Sequence, residues 1–392
     1  MKILFLSFYF PPDLSAGSFR SGSLVDSLLS GWPETVQIEV ITTLPNRYSS
    51  YVADAAVFET RPELTIHRIE ITRHNNGMKG QCRAFLDYVM GARRIVNDND
   101  YDLVYATSGR LMTAVLGAYI AKKLRKPLYL DIRDIFVDTI GDVLPGKAGL
   151  ILTPFFSLLE RYALNSAVKV NLVSAGFLPY FQKRYPHHEF EVFTNGIDDQ
   201  FLAARPQNCP ENKTGELTVL YAGNIGEGQG LHNIIPELAE KFSGKMLFKI
   251  VGDGGRRREL VEALKLSGCQ NVVLLPPVQR DELIAMYQSA DVLFLHLNDF
   301  DAFKNVLPSK LFEYAATGKP IWAGVAGYAA EFITTRIENS AVFPPCNVSV
   351  AVSSFNHLEI VMHQRTDFIR EFSRVKIMKK MAQSITFCGR KL

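Results

Sequence analysis

Pro308-Ser309-Lys310-Leu311-Phe312-Glu313-Tyr314-Ala315-Ala316-Thr317-Gly318-Lys319-Pro320 reads as a loop, a short helix and the entry to a strand. Pro308 closes the preceding segment, and the Ser309 hydroxyl can cap a helix by accepting a backbone N–H. Gly318 stands where a left-handed helix end belongs, and Pro320 forbids continuation. Ile321-Trp322-Ala323 then resumes as a strand. A helix start offers free N–H groups and a positive dipole end, which suit an anion such as a pyrophosphate. Lys310 adds a full charge at that end. Glu313, one turn further in, can accept hydrogen bonds from two neighbouring hydroxyls, as on a ribose. The same spacing also fits an ordinary solvated surface helix.

Outward from this segment, apolar runs and helical patterns alternate along the whole chain. Strands are expected at 217–222, 246–251, 272–275, 292–297 and 321–323, separated by helical patterns at 232–242, 257–267, 281–288 and 311–317. Earlier, strands are expected at 2–10, 37–42, 64–71, 103–106, 128–130 and 168–174, with a helical pattern at 111–124 and another through Leu24, Val25, Leu28 and Leu29. Continuous apolar strands alternating with helices predict doubly wound parallel α/β domains, two of them in tandem. Turn chemistry at Thr194-Asn195-Gly196-Ile197-Asp198 and a polar stretch at 203–215 put the boundary between them. The expected bounds are 1–198 and 199–370, followed by a C-terminal segment at 371–392. A ligand cleft is expected at the strand C-termini.

A chain of 392 residues accommodates two domains of ordinary size. Its 47% hydrophobic and 21% charged content is that of a folded globular protein. A net charge of only +3 does not indicate a general nucleic-acid footprint. Charge is nonetheless uneven: 365–392 carries eight Lys or Arg against two acidic residues. Five scattered cysteines, without a CxxC or a His/Cys cluster, point away from a disulfide framework or a zinc site and towards a reducing compartment. The apolar N-terminal run stops at Pro11-Pro12 after eight residues with no clear cleavage signature, so secretion is not expected. No segment approaches the ~18 apolar residues of a membrane span.

Three glycine-bearing turns follow strands: Ser15-Ala16-Gly17-Ser18, Gly223-Asn224-Ile225-Gly226, and Gly252-Asp253-Gly254-Gly255. Glycine lets a backbone approach a phosphate or a ring closely, although tight α/β turns also use it. Asp131-Ile132-Arg133-Asp134, at a strand end, reads as a functional loop or as a salt-bridged one. Arg256-Arg257-Arg258 reads as a solvated helix face. Gln81 to Val96 forms an amphipathic helical pattern flanked by Lys79, Arg83, Arg93 and Arg94. Its preferred reading is a helix packed on the first sheet. The alternative is contact with anionic lipid headgroups. The eight histidines show no metal-ligand spacing, and the GxSxG hydrolase signature is absent.

These residues resemble glycosyltransferase family 4, retaining nucleotide-sugar-dependent enzymes of GT-B fold, over nearly the whole chain. The most specific stretches are 308–320, 221–226 with Gly230-Leu231, 251–254 and 195–198. Within the family the resemblance is to bacterial surface-polysaccharide enzymes, including those named as L-fucosamine transferases. It implies that Glu313 is the second Glu of an E-x7-E motif and holds the donor ribose. It places Gly17 near the donor diphosphate, Arg133 and Asp134 near the donor sugar and the reacting centre, and Pro277 and Val278 beside the base. Gly223, Asn224, Gly252, Ser309, Lys310 and Leu311 complete the implied donor site. It also implies that the C-terminal segment crosses back to the first domain.

The chain departs from the family at four positions. Asn305 replaces the first Glu of the motif, Asn224 and Gln229 replace an Arg and a Lys, and Arg133 replaces a His. Lys310 and the helix start are the expected substitutes for the two lost cations. The function implied is transfer, with retention, from a UDP-sugar, expected to be an N-acetylated amino sugar, to a lipid-linked oligosaccharide in surface-polysaccharide (O-antigen or capsule) biosynthesis. The expected location is the cytoplasm, peripheral to the inner membrane. No metal and no cofactor beyond the donor is expected. Catalysis would fall to Arg133, Asp134 and Lys310. The rival readings are a UDP-sugar 2-epimerase and a non-catalytic nucleotide-sugar-binding partner in a polysaccharide assembly complex.

Overall fold

The computed structural model describes residues 1–30, 35–46, 54–72, 78–96, 100–138, 147–203 and 215–390. The chain divides into two compact units, 1–195 together with 374–392, and 196–373. Of the polar stretch 203–215 read as part of the boundary, 204–214 lies outside the described residues, and the observed division precedes it.

In the first unit, β1 (Lys2–Leu6), β2 (Gln37–Thr43), β3 (Phe58–Arg61), β4 (Leu64–Ile69), β5 (Leu103–Ser108), β6 (Leu128–Ile132), β7 (Lys169–Leu172) and β8 (Phe190–Val192) form one sheet. Its order is β3-β4-β2-β1-β5-β6-β7-β8, and only the β3–β4 pair is antiparallel. Ile3 to Leu6 are fully buried, because helices cover both faces of a parallel sheet. The expected first strand is cut short at Leu6. Phe8 and Phe10 stay buried beyond it by packing, Phe8 against Phe85 and Tyr88, so the apolar run outlasts the ladder. The unforeseen β3 is a polar edge strand, and charges there discourage pairing with another chain.

The helix Ala16–Ser30 buries Arg20 in this unit. Arg20 Nε and Nη2 donate to Asp131 Oδ2 and Oδ1, both at 2.9 Å. Its Nη1 and Nη2 also reach the carbonyls of Thr194 (2.7 Å) and Phe193 (2.8 Å). Asn171 and Tyr105 donate to the same carboxylate at 2.6 and 3.1 Å. Burial pushes the Asp131 carboxyl up, but the adjacent Arg20 guanidinium wins and holds it below its ordinary value. Asp131 therefore belongs to the interior of the sheet, and the functional-loop reading of 131–134 narrows to Arg133 and Asp134.

Helix Met78–Val96 packs Ala84, Phe85, Tyr88, Ala92 and Val96 inward, the preferred expectation for that stretch, and Tyr88 donates to the Ile41 carbonyl at 2.8 Å. Helix Arg374–Arg390 belongs to the first unit and packs on Ala16–Ser30. It buries Ile377, Met378, Met381, Ala382 and Ile385 and leaves Lys376, Lys379 and Lys380 exposed. The basic C-terminal stretch is thus partly the outer face of an amphipathic helix.

The second unit holds β9 (Leu217–Ala222), β10 (Met246–Val251), β11 (Val272–Leu275), β12 (Val292–His296), β13 (Ile321–Gly324) and β14 (Ser340–Phe343). They form one all-parallel sheet in the order β11-β10-β9-β12-β13-β14. Trp322 is wholly buried beside Phe242, Phe294 and Phe343, and its Nε1 is satisfied by Ser354 Oγ at 3.1 Å. The edge strands β8 and β14, three and four residues long, are not among those expected from the sequence.

Replacing Arg20 with Met should leave Asp131 buried without its cation, at a cost of about 3–5 kcal/mol. Urea unfolding near neutral pH measures this. The wild-type contribution is present above the ordinary aspartate range and is lost as pH falls through the depressed folded value, so the gap between the two proteins should narrow in acid.

Candidate functional site

The second unit gathers most of the predicted residues at the C-terminal ends of its central strands. The turns after β9 and β10 lie against each other. Ile225 N–H donates to Asp253 O, and Arg256 N–H to Ile225 O, both at 2.9 Å. Gly252 has φ 142°, and a Cβ there would stand 1.9 Å from the Gly223 carbonyl oxygen. Gly223 itself has φ 145°, and a Cβ on it would meet Lys310 Nζ at 2.5 Å. These two glycines are required by close approach, as expected from the turns.

Lys310 opens the helix Lys310–Thr317 and lays its ammonium 3.8 Å over the Tyr221 ring. Crowding by the surrounding protein pushes this amine down to about 7, and the Glu313 charge offsets only part of that. The ring face favours the protonated form. Tyr221 is fixed in turn, because its hydroxyl donates to Asn224 O at 2.6 Å.

Ser309 does not cap this helix. It has helical backbone angles, φ −61° and ψ −35°, and its side chain makes no capping bond. The Leu311 and Phe312 N–H groups instead donate to Pro308 O (3.1 Å) and Ser309 O (3.2 Å), a tight first turn. The Leu311 side chain is wholly buried. The C-terminal reading holds: Gly318 is left-handed at φ 75° and donates to Ala315 O.

The Glu313 side chain is only 14% exposed, so its charge needs partners. Tyr287 OH donates to Oε2 at 3.2 Å, and Arg280 Nη2 lies 3.7 Å from Oε1. Burial, and next the Glu313 charge, push the Tyr287 phenol well above its ordinary value, so it remains a donor. Neither Tyr287 nor Arg280 stands out in the sequence. A helix pattern at 281–288 is visible there, but what its side chains reach depends on packing.

The two positions where the resemblance expects cations are joined to each other. Asn224 Nδ2 donates to Gln229 Oε1 at 2.7 Å, and the same oxygen accepts from Gly226 N at 3.3 Å. The amides brace the turn and place no charge there. Asn305 ends the short 3-10 segment Asp301–Asn305 and is half-buried. Pro277 and Val278 are half-buried in the loop between β11 and the helix Arg280–Ser289. Arg256 and Arg258 pair with Glu227, Glu259 and Glu262, as a solvated helix face should.

In the first unit the structure brings Gly17 and Arg133 together. A Cβ on Gly17 would lie 1.9 Å from Arg133 Nη1. Burial lowers the Arg133 pKa, with Asp131 opposing, and Arg133 Nε finds no hydrogen-bond partner among the described residues. Asp134 follows at an exposed position.

Residues 207–371 match the family described as glycosyl transferases group 1. Proteins named as glycosyltransferases are similar to it over more of the chain. A protein of Escherichia coli (strain K12) named as a colanic acid biosynthesis glycosyl transferase, WcaI, is 28% identical over 68% of this chain. The chain matches 58% of that relative's own length. A 2-deoxystreptamine N-acetyl-D-glucosaminyltransferase of Niallia circulans is 24% identical over 80% of this chain and 85% of its own. Among solved structures, Anabaena HepE in complex with UDP and glucose superposes with a TM-score of 0.66. It covers 99% of this chain and 100% of its own at 17% identity, and so speaks for the fold. Two parallel-sheet α/β units in tandem are the GT-B class.

The glycines make contrasting predictions. A Gly17→Ala methyl meets the far end of a flexible side chain, so Arg133 swings away and the fold survives. A Gly252→Ala methyl meets backbone at a left-handed φ and should destabilise the second unit by about 1–3 kcal/mol. Thermal unfolding of both variants reads the difference.

Proposed function

We propose that the protein is a retaining glycosyltransferase that moves a sugar, an N-acetylated amino sugar, from UDP to a lipid-linked saccharide in bacterial surface-polysaccharide synthesis. The observation that carries this is the pairing on one helix of a largely buried, ionisable Glu313 with Lys310 one turn before it, beside two glycine turns. A carboxylate so placed suits two adjacent ribose hydroxyls, and an ammonium beside open backbone suits a diphosphate. The colanic acid context of one relative's name supports a polysaccharide product, and the UDP bound to the structural neighbour HepE supports a nucleotide-linked donor. Retention by front-side attack needs no side-chain nucleophile. It asks for positioning and for stabilisation of the departing diphosphate, and the latter role falls to Lys310. Arg133, whose Nε has no partner among the described residues, is assigned to the donor sugar, and Asp134 to the reacting centre.

The Asn224–Gln229 amide pair favours one second reading, a binding partner without turnover, because amides stand where the resemblance expects two phosphate cations. Release of UDP only when acceptor is present identifies a transferase. Binding without release identifies the partner.

UDP titration by calorimetry tests the donor assignment. Glu313→Gln keeps shape and loses charge, so affinity should fall about ten-fold or more. Unchanged affinity in a folded variant would remove Glu313 from the ribose. Lys310 supplies a pH signature. In the free protein its charge is present below about 7 and is lost as pH rises through that value. A bound diphosphate favours the charged form, so UDP binding should take up a proton and weaken as pH climbs above 7. Lys310→Met should flatten that dependence and slow single-turnover transfer.

Access to a lipid-linked acceptor is assigned to the outer face of helix Met78–Val96. Arg83, Leu86, Met90, Arg93 and Arg94 are exposed there, mixing apolar groups with cations. No helix among the described residues is long and apolar enough to cross a membrane. Flotation with anionic vesicles should capture the protein, and capture should drop as salt is raised several-fold, since screening acts within roughly 10 Å at about 0.1 M. Equal capture by neutral vesicles counts against this face.

A further inference from the structure

Glu313 is not held by its own helix. Its two side-chain partners among the described residues come from the helix Arg280–Ser289, and they are seven residues apart. Seven residues are close to two turns, so Arg280 and Tyr287 lie along one stripe of that helix. Arg280 approaches Oε1 and Tyr287 donates to Oε2. Each oxygen therefore keeps acceptor capacity, because an ionised carboxylate offers about four lone-pair sites.

Arg280 is itself restrained from two sides. Its Nη2 is hydrogen-bonded to Asp198 Oδ2, and its guanidinium carbon lies 4.8 Å over the Phe201 ring. The same Phe201 ring stacks on Tyr287 at 5.8 Å, and Tyr287 meets Tyr314 edge-on at 5.2 Å. One aromatic thus lies against both of Glu313's partners. The Arg280 side chain is 15% exposed and that of Asp198 18%, so these charges act across a largely water-excluded space. At 3.7 Å the Arg280–Glu313 contact is an ion pair rather than a tight bidentate clamp. The same Arg280 Nη2 that bonds Asp198 faces Glu313.

We propose that Arg280 is a positioning residue for the donor: held by Asp198 and Phe201, it keeps the Glu313 carboxylate turned so that two vicinal sugar hydroxyls can bind it. This rests on the reading of Glu313 as the ribose carboxylate. The chemistry recognised is a cis-diol of a nucleoside diphosphate. A cation in full contact would occupy the oxygens that the diol requires, whereas one held 3.7 Å away orients the carboxylate and leaves them accessible.

Calorimetric titration with UDP and with 2′,3′-dideoxy-UDP tests it on the full chain. The variants are Glu313→Gln, Arg280→Gln, Arg280→Lys and the Glu313→Gln/Arg280→Gln double. Arg280→Gln should weaken UDP about ten-fold while leaving the dideoxy nucleotide within about two-fold, so discrimination between the two collapses. The double variant should be no weaker than Glu313→Gln alone, since Arg280 acts only through that carboxylate. Arg280→Lys should recover part of the loss because it keeps the charge. Should Arg280→Gln fail to fold, Arg280→Gln/Asp198→Asn removes both charges together and carries the same expectation. Unchanged UDP affinity in a folded Arg280→Gln overturns the proposal, and so does an additive double variant. If Glu313→Gln itself binds UDP normally, the underlying ribose reading has failed, and that result is distinct from a failure confined to Arg280.

Discussion

A parallel sheet covered on both faces leaves almost no room for polar chemistry along its strands. In β5, β6 and β12 every residue is buried, and β1 and β9 are buried beyond their first residue. Backbone groups in these strands are consumed by the ladders, so reactive side chains can stand only where the strands end. In the second unit this concentrates everything into the turns after β9 and β10 and the helix after β12. The turns can nest because Gly252 presents no Cβ to the Gly223 carbonyl. The same economy at Gly223 leaves space for the Lys310 ammonium.

Buried charges in this protein sort by how completely they are satisfied. Arg20 and Asp131 form a closed set, with both carboxylate oxygens bonded and two backbone carbonyls engaged. Arg365 is similar: it donates to the carbonyls of Ala315, Lys319 and Glu338 and ties down the end of the helix Lys310–Thr317. Such sets are structural, since removing one member strands the rest. Arg133, Lys310 and Glu313 are different. Arg133 Nε has no partner among the described residues, Lys310 rests on a ring face, and Glu313 keeps acceptor capacity on both oxygens. Spare capacity on a crowded charge is what a ligand can use.

The amide pair Asn224–Gln229 shows how a departure from a family pattern can be absorbed. Two amides are mutually complementary as donor and acceptor, so they close on each other and rigidify the turn. Positive charge on this side then comes from Lys310, which reaches the same turn from a different strand end.

Alternating apolar runs and helical periods make the two α/β units legible, because two-sided burial writes itself into consecutive residues. The left-handed helix end at Gly318 is legible for a similar reason: only local backbone geometry is involved. The Lys310–Glu313 spacing is also visible, since one helical turn relates them. Short polar edge strands such as β3 carry too little pattern to be read. Ser309 looks like a cap, yet the tight first turn makes it helical instead. Arg20, Asp131, Tyr287 and Arg280 acquire their roles from residues far away in the chain: Arg20 meets a carboxylate 111 positions on, and Tyr287 one 26 positions on. Periodicity reports which face of an element is apolar. Which charge meets which is decided only when the elements pack, because electrostatic and hydrogen-bond partners are chosen by distance in space.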